Sequence, residues 1–242
     1  MITSTSSSQV KHVVNLQKKA KLRKEEKQFV VEGVKMVSEA PADRLVKVYV
    51  SETFKADNEE FLERMNYDSI GKDVLEIVTD NVFMRMADTQ TPQGIMAVVR
   101  MSDTDLEGIL SDKRNPLLLI IENLQDPGNL GTIVRMAEGA GVTGIIMSSN
   151  TVDIYNPKTI RSTMGSLYRV PVIYVDDICE AADVCKSKGV TVYAAHLKGT
   201  DNYNKKDYTN PTAFMIGNEG NGLTDKLADK ADEYVRIPMQ GE

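Results

Sequence analysis

Short β-branched runs alternate with stretches of helical periodicity along the whole chain. This alternation predicts an α/β architecture with a largely parallel sheet. In the first half, strands are predicted over residues 28–31, 46–50, 74–78 and 94–100, and helices over 33–40, 59–66 and 81–86.

The second half opens on residues 117–122, LLLIIE, an apolar run typical of a strand covered by helices on both faces. Further strands are predicted over residues 144–147, 170–175, 190–194, 213–216 and 234–237. Residues 101–115 are polar at both ends and stop before a proline, which suits a linker containing a short helix. The pattern therefore predicts two domains that divide within this linker.

The segment after the LLLIIE strand contains four successive turn formers, Asp126, Pro127, Gly128 and Asn129, and a helix is predicted to begin at Leu130. Loops at the carboxyl ends of strands in open α/β sheets are the usual place for ligands. Asn129 is open to two interpretations, a helix cap or a catalytic residue.

Helical periodicity divides this helix into two faces. The apolar arc contains Leu130, Ile133, Val134, Met136, Ala137 and Ala140, and the open face contains Gly131, Thr132, Arg135 and Glu138. Arg135 therefore projects away from the core, as a solvated surface arginine or as a fork that binds a phosphate.

The glycines at 139, 141 and 144 fit the spacing G-x-G-x-x-G, but they end a helix and lead into a strand, the reverse of a dinucleotide site. Gly139 or Gly141 is better explained as a helix stop. The sequence contains no Walker-type phosphate loop, which disfavours a nucleotide-binding regulator of the doubly wound type.

Composition changes this picture little: 41% hydrophobic and 26% charged residues are ordinary for a globular chain. Without a long apolar run or a secretory signal, the chain is expected to be cytoplasmic. The spacing of Cys179 and Cys185 matches no zinc or redox motif, so both are expected to be reduced, partly buried thiols. His12 and His196 lie far apart in the sequence, and no metal site is predicted.

Charge is distributed unevenly. The net charge is -6, yet residues 1–27 carry seven basic and two acidic residues, a local charge of +5 that leaves -11 for the rest. Such a basic edge can follow RNA phosphates, and a solvated helix face is the alternative. The candidate RNA-binding residues here are Lys18, Lys19, Lys21 and Arg23.

The stretch NLGTIVR, residues 129–135, resembles the first motif of the SpoU family of knotted (SPOUT) RNA ribose 2'-O-methyltransferases. NPKTIRSTMGSLYRVPV at 156–172 resembles the second motif, and the segment from residue 214 onward, which begins FMIGNEGNGL, resembles the start of the third. Residues 10–37 and ADTQTPQGIMAVV at 87–99 resemble the family's small substrate-binding domain. The resemblance thus covers nearly the whole chain.

The resemblance implies an N-terminal α/β RNA substrate-binding domain at 1–101, a linker at 102–114 and a trefoil-knotted SpoU-type methyltransferase domain at 115–242. It implies S-adenosylmethionine as cofactor and a homodimer. Ribosomal RNA is the favoured substrate because the accessory domain resembles that of rRNA enzymes, with tRNA as the alternative.

The resemblance also implies the site residues. Asn129 and Arg135 match positions that the family assigns to catalysis, and Glu219 matches its acidic position, for example orienting Arg135. Because a guanidinium is protonated at ordinary pH, we expect Arg135 to anchor a phosphate instead of acting as a base. The implied cofactor-binding residues are Leu197, Gly217, Asn218, Gly220, Ile237 and Met239, and a plain turn is the alternative for the glycine loop. The implied further RNA contacts are Lys158, Arg161 and Arg169, for which plain surface charge is the alternative.

The chain departs from the family pattern at its end. After IPMQGE the family continues with a Ser-Leu-Asn segment and a final helix, whereas this sequence stops at Glu242. A non-catalytic RNA-binding protein that retains the fold is therefore the competing hypothesis.

Overall fold

The computed structural model describes residues 1–65, 74–112, 114–199 and 201–238. The chain forms two compact units, of which the first combines Met1–Met101 with Asp153–Tyr168. The second contains Ser102–Val152 and the chain from Arg169 onward. The stretch predicted as one domain over 115–242 thus contributes residues 153–168 to the first unit.

The first unit contains a four-stranded sheet with the order β1-β4-β2-β3. Its strands are β1 (Gln28–Glu32), β2 (Leu45–Ser51), β3 (Leu75–Val78) and β4 (Ile95–Arg100). Only β2 and β3 pair in parallel, whereas β4 runs antiparallel to both β1 and β2. The predicted strands are present, but a largely parallel sheet is wrong for this unit, because hydrophobic periodicity does not specify strand direction.

Helices cover the mixed sheet. They are α1 (Ser8–Lys18), α2 (Ala20–Glu26), α3 (Val34–Ser38), α4 (Glu52–Asp57), α5 (Glu59–Met65), α6 (Asp80–Met86) and, from the later segment, α9 (Pro157–Thr163). The apolar face of α1, with Val10, Val13 and Leu16, packs in one cluster with Phe83 and Met86 of α6. The polar face of α1 therefore remains available to solvent.

Arg23 on α2 is a correction to the predicted RNA-binding set. Its side chain is only 3% exposed and forms an ion pair with Asp153 at 2.6 Å. Its Nη1 also donates to the carbonyl oxygens of Leu16 at 2.6 Å and Gln17 at 2.9 Å. Arg23 therefore holds segment 153–168 within the first unit and is not available to bind phosphate.

The second unit contains a seven-stranded sheet with the order β7-β6-β5-β10-β8-β11-β9. Its strands are β5 (Leu117–Ile121), β6 (Gly144–Ser148), β7 (Val172–Val175), β8 (Thr191–Ala195), β9 (Asp201–Asn202), β10 (Thr212–Ile216) and β11 (Glu233–Arg236). Every described strand pair is parallel, so the carboxyl ends of all these strands lie at one edge.

The helices of the second unit are α7 (Leu106–Leu110), α8 (Pro127–Gly139), α10 (Ile178–Ser187) and α11 (Asp225–Ala228). Gly141, with φ +76°, follows the end of α8, which confirms one of the two predicted helix stops. Cys179 and Cys185 are free and buried on α10, and burial raises the pKa of the Cys185 thiol to about 11. Both thiols are thus more deeply buried than predicted.

Within the described ranges, no helix is both long and apolar enough to cross a membrane. The same part of the chain holds no group of three or more histidine, cysteine, aspartate or glutamate side chains suited to a metal ion.

Candidate functional site

The predicted catalytic and cofactor-binding residues follow the carboxyl ends of four neighbouring strands, β5, β10, β8 and β11. Asn129 lies in the first turn of the helix after β5, and Gly217 directly follows β10. Leu197 and Ile237 follow β8 and β11. The parallel sheet thus places loops that are distant in sequence along one edge of the second unit.

Helix α8 begins three residues earlier than predicted, at Pro127. Its N-cap is Asp126, whose carboxylate accepts from the backbone N–H of Asn129 at 2.8 Å. Proline at the first helical position fits this start, since its fixed φ suits a helix and it needs no N–H partner there. Asn129 is therefore not the cap, and its side chain is available for another role.

That role is a hydrogen bond to Glu219. The Nδ2 of Asn129 donates to Glu219 Oε1 at 3.2 Å, and the same carboxylate accepts from the backbone N–H groups of Asp126 at 2.9 Å and Gln125 at 3.2 Å. Glu219 thus joins the loop after β10 to the start of α8. Among the described residues, Glu219 contacts Asn129, and no hydrogen bond or ion pair to Arg135 is found.

The ionised form of Glu219 is strongly favoured. Desolvation, the largest single influence, raises its pKa, but the hydrogen bonds from the backbone of Asp126, Glu219 and Gln125 and from Asn129 together lower it to about 2. Because the pKa of Glu219 is depressed, its ionised carboxylate stabilises the folded loop at pH values above the ordinary pKa near 4.5. This stabilisation is lost only as the pH falls toward 2. The contact is therefore present throughout the physiological range.

Arg135 is exposed on α8, and no hydrogen bond or ion pair is found for it within the described part of the chain. The helix packs through Leu130, Val134 and Ala137. Three assignments of the predicted faces are wrong: Gly131 is buried, Met136 is 68% exposed, and Ala140 is exposed. The predicted outward projection of Arg135 is present.

A second group of hydrogen bonds, which sequence reasoning missed, holds the loop after β5. Asn123 adopts a left-handed conformation with φ 54°, and its N–H donates to Ser148 Oγ at 2.9 Å. Its carbonyl oxygen accepts from Gln125 Nε2 at 3.0 Å and from Asn218 Nδ2 at 2.9 Å. The only local signal was the cluster of turn-forming residues at the strand end.

The loop after β10 is closed by backbone contacts. The N–H groups of Asn218 and Gly222 each donate to the other residue's carbonyl at 2.9 Å. A Cβ atom on Gly217 would lie 2.1 Å from the carbonyl carbon of Gly222, so only glycine fits there. Asn218 Oδ1 accepts from the N–H groups of Gly220 and Asn221, at 2.9 and 3.0 Å.

Replacing Gly217 by alanine is expected to force this loop open and to lower the free energy of unfolding by about 2–3 kcal/mol, because rigid backbone cannot move aside for the methyl group. Gly220→Ala is the matched control, since its Cβ would meet only Asn218 Oδ1, at 3.6 Å. Urea unfolding followed by circular dichroism measures both variants. Equal losses for the two would contradict the tight backbone approach at residue 217.

The remaining predicted cofactor residues include two exposed apolar side chains, Leu197 at 91% and Ile237 at 57%. The turn after β8 lies against β11, with the N–H of His196 donating to the carbonyl of Val235 at 3.1 Å. The structure therefore places Leu197, the loop after β10 and Ile237 at one edge, while Met239 lies outside the described residues.

The other predicted RNA-binding residues have different surroundings. Lys18, Lys19 and Lys21 are exposed, as is Lys158. In the first unit Arg161 pairs with Asp88 at 2.6 Å, and in the second Arg169 pairs with Glu138. Both arginines already hold a carboxylate, so an RNA phosphate would have to replace it.

The sequence profile of the SpoU rRNA methylase family matches residues 116–242, more than half of the chain. The chain belongs to the SpoU rRNA methylase family. A second profile, that of the MRM3-like substrate binding domain, matches residues 7–97. Together they confirm the predicted family and the resemblance seen in its accessory domain.

Among curated SpoU relatives, the 23S rRNA (guanosine(2553)-2'-O)-methyltransferase RlmP of Bacillus subtilis is 33% identical over 172 residues, 69% of this chain and 64% of the relative. An uncharacterized tRNA/rRNA methyltransferase of Synechocystis is 30% identical over 98% of this chain and 85% of its own length. The chain spans 64% and 54% of the first two curated relatives that it matches.

Solved structures confirm the fold class. The AdoMet-bound rRNA methyltransferase from Sinorhizobium meliloti superposes with a TM-score of 0.84 at 28% identity, covering 99% of this chain and 89% of that one. The SpoU methyltransferase AviRb from Streptomyces viridochromogenes gives a TM-score of 0.82 at 26% identity, covering 98% and 90%. The mostly parallel sheet with a smaller N-terminal α/β region is the shared architecture.

Proposed function

We propose that this protein transfers a methyl group from S-adenosylmethionine to a ribose 2'-hydroxyl of ribosomal RNA. The observation that carries the proposal is the hydrogen bond between Asn129 of the first motif and Glu219 of the third, together with an exposed Arg135 on the same helix as Asn129, for which no partner is found within the described ranges. The names of relatives support it, since those in Bacillus subtilis and Streptomyces viridochromogenes are 23S rRNA 2'-O-methyltransferases.

Asn129 orients the reacting hydroxyl in this proposal. A carboxylate only accepts hydrogen bonds, so Glu219 fixes the amide with Nδ2 toward itself and leaves Oδ1 as an acceptor. The 2'-hydroxyl of the ribose can donate to that oxygen, which points the hydroxyl lone pairs away from Asn129. This arrangement helps to hold the nucleophile in a reactive direction.

Arg135 anchors the substrate. A guanidinium forks two hydrogen bonds onto a phosphate and remains positively charged, so it can also stabilise negative charge that develops on the attacking oxygen. A site at the sheet edge that leaves this side chain exposed suits a large substrate such as RNA.

The residues after β10, β8 and β11 fit S-adenosylmethionine. Gly217 and Gly220, on either side of Asn218, have no side chain that would keep a ligand from their backbone, and Leu197 and Ile237 offer apolar surface for the adenine ring, with Met239 as a further main-chain contact. When bound, the cofactor supplies a methyl group on a positively charged sulfur, which makes a metal unnecessary.

We further propose that residues 1–101 bind the RNA, that 102–114 form the linker and that 115–242 form the methyltransferase domain. The family resemblance supports the trefoil knot, and the strand order, in which β10 lies between β5 and β8 although it follows both in sequence, is compatible with it. The family resemblance supports the homodimer, and an rRNA substrate supports a cytoplasmic location.

Two measurements test the proposed function. Calorimetric titration with S-adenosylmethionine is expected to show one site per chain, and tritiated donor is expected to label ribosomal RNA from cells lacking the gene but not RNA from the parent cells. Absence of S-adenosylmethionine binding at high micromolar concentration would favour a non-catalytic RNA-binding protein. Labelling of tRNA alone would identify tRNA as the substrate instead of rRNA.

Replacing Lys18, Lys19 and Lys21 together by glutamine is expected to weaken RNA binding and to reduce the slope of log K against log salt by about 2–3, since each phosphate contact contributes about 0.7–0.9. The measurement is fluorescence anisotropy with an rRNA transcript at several salt concentrations. A triple variant of exposed lysines elsewhere, at residues 55, 188 and 205, controls for net charge. Equal slopes for the two variants would exclude the basic edge as the RNA contact.

A further inference from the structure

Glu122, directly after β5, is a buried carboxylate that neither the motifs nor the proposed mechanism uses. Its side chain is 6% exposed, and no ion pair is found for it within the described residues. Oε2 accepts from the backbone N–H of Thr224 at 2.7 Å, and Oε1 accepts from the Thr224 hydroxyl at 2.7 Å. Both carboxylate oxygens are therefore bound to a single residue beyond β10.

The backbone of Glu122 holds the other end of the same loop. Its N–H donates to the carbonyl of Ile216, the last residue of β10, at 2.9 Å. Glu122 thus binds the residue before loop 217–223 through its main chain and the residue after the loop through its side chain. One residue closes the base of the loop.

Thr224 transmits this restraint to α11. Its hydroxyl donates to Glu122 and therefore presents a lone pair to the N–H of Leu227, which it caps at 3.3 Å. The direction in which the chain leaves the loop is fixed by the start of this helix.

Loop 217–223 carries the groups on which the proposed site depends. Glu219, within this loop, binds the side chain of Asn129. Gly217, Asn218 and Gly220, in the same loop, are predicted to contact S-adenosylmethionine. A carboxylate buried away from cations is costly unless its hydrogen bonds are made, so its two contacts with Thr224 are needed to retain it at the strand end.

We infer that Glu122 is a positioning residue that, through Thr224, holds loop 217–223 in the shape that binds the methyl donor and orients Asn129. This inference rests on the proposed function. Glu122 itself lies outside the three motif segments, and the inference assigns it no contact with either substrate.

The test compares Glu122→Gln, Thr224→Val and Thr224→Ser. Glutamine at residue 122 offers one acceptor oxygen and places its amide N–H against a hydrogen-bond donor of Thr224. Valine at residue 224 removes the hydroxyl, whereas serine keeps it. We expect Glu122→Gln and Thr224→Val each to weaken S-adenosylmethionine binding by about tenfold or more in calorimetry, and Thr224→Ser to stay within about twofold of wild type. The double variant of Glu122→Gln and Thr224→Val should bind S-adenosylmethionine no more weakly than the weaker-binding single variant, because both substitutions break the same contact.

A stability control separates positioning from general destabilisation. Val142→Ala removes buried apolar volume before β6, at the opposite edge of the same sheet, and should lower Tm without changing donor affinity. Hydrogen exchange without donor gives a second measurement, with faster exchange expected at Gly220 and Asn221 in Glu122→Gln than in Val142→Ala.

Two results would overturn the inference: donor affinity within twofold of wild type in Glu122→Gln and Thr224→Val, or exchange in the loop no faster than in the control. A wild-type chain that binds no donor instead overturns the proposed function, and the exchange measurement then decides alone whether Glu122 holds the loop.

Discussion

Replacing Arg135 by alanine is expected to lower the rate of methyl transfer to ribosomal RNA by about 10²–10³-fold, the effect typical of removing one donor that stabilises charge in a transition state. The side chain is exposed and without a partner in the described part of the chain, so the free energy of unfolding should change by less than about 0.5 kcal/mol. Transfer of tritiated methyl groups at saturating donor measures the first effect, and urea unfolding measures the second.

Arg135→Lys distinguishes a two-pronged grip from simple positive charge. Lysine keeps the charge but cannot form two parallel hydrogen bonds, so we expect at least a tenfold loss of turnover. Thr132→Ala, an exposed position on the same helix, serves as the control and should retain activity. Full turnover in Arg135→Lys would reject phosphate anchoring through a fork.

The strands could be predicted closely from the sequence because apolar β-branched runs mark them. The strand predicted at residues 117–122 extends over Leu117–Ile121, and the strand predicted at 213–216 extends over Thr212–Ile216. The direction of the strands in the first unit could not be predicted, since an antiparallel strand covered on both faces has the same apolar pattern as a parallel one.

The candidate site was predictable as a set of residues but not as a set of contacts. Two interpretations of Asn129 remained open because the residue that caps α8 depends on where the helix begins. A start at Leu130 would make Asn129 the N-cap, whereas the observed start at Pro127 makes Asp126 the N-cap. The partner of Asn129 lies 90 residues away at Glu219, and the loop after β10 is closed by Glu122, 102 residues before Thr224. Local sequence patterns carry no information about such pairs.

Charge in the N-terminal segment shows the same limit. Lys18, Lys19 and Lys21 are exposed, but Arg23 on the same basic stretch is buried, because its partner Asp153 lies 130 residues later. A run of basic residues gives the net charge of a surface and does not say which member turns inward.

Replacing Arg23 by methionine is therefore expected to destabilise the protein by about 3 kcal/mol, near the lower end of the range for breaking a buried ion pair, because Asp153 retains some exposure. The substitution removes the ion pair and the two bonds to the carbonyls of Leu16 and Gln17, while methionine preserves much of the apolar stem. Unfolding in urea, followed by circular dichroism, measures the loss, and Lys18→Met is the exposed control.

A double variant shows how much of that loss of stability comes from leaving the Asp153 carboxylate without its ion-pair partner. Asp153→Leu combined with Arg23→Met should recover about 1–2 kcal/mol relative to the sum of the single changes, because no unpaired charge is then left in a largely buried place. If Arg23 served RNA phosphates instead, Arg23→Met would unfold like Lys18→Met and would weaken RNA binding. A large loss of stability that Asp153→Leu partly reverses would identify Arg23 as the residue that holds segment 153–168 in the first unit.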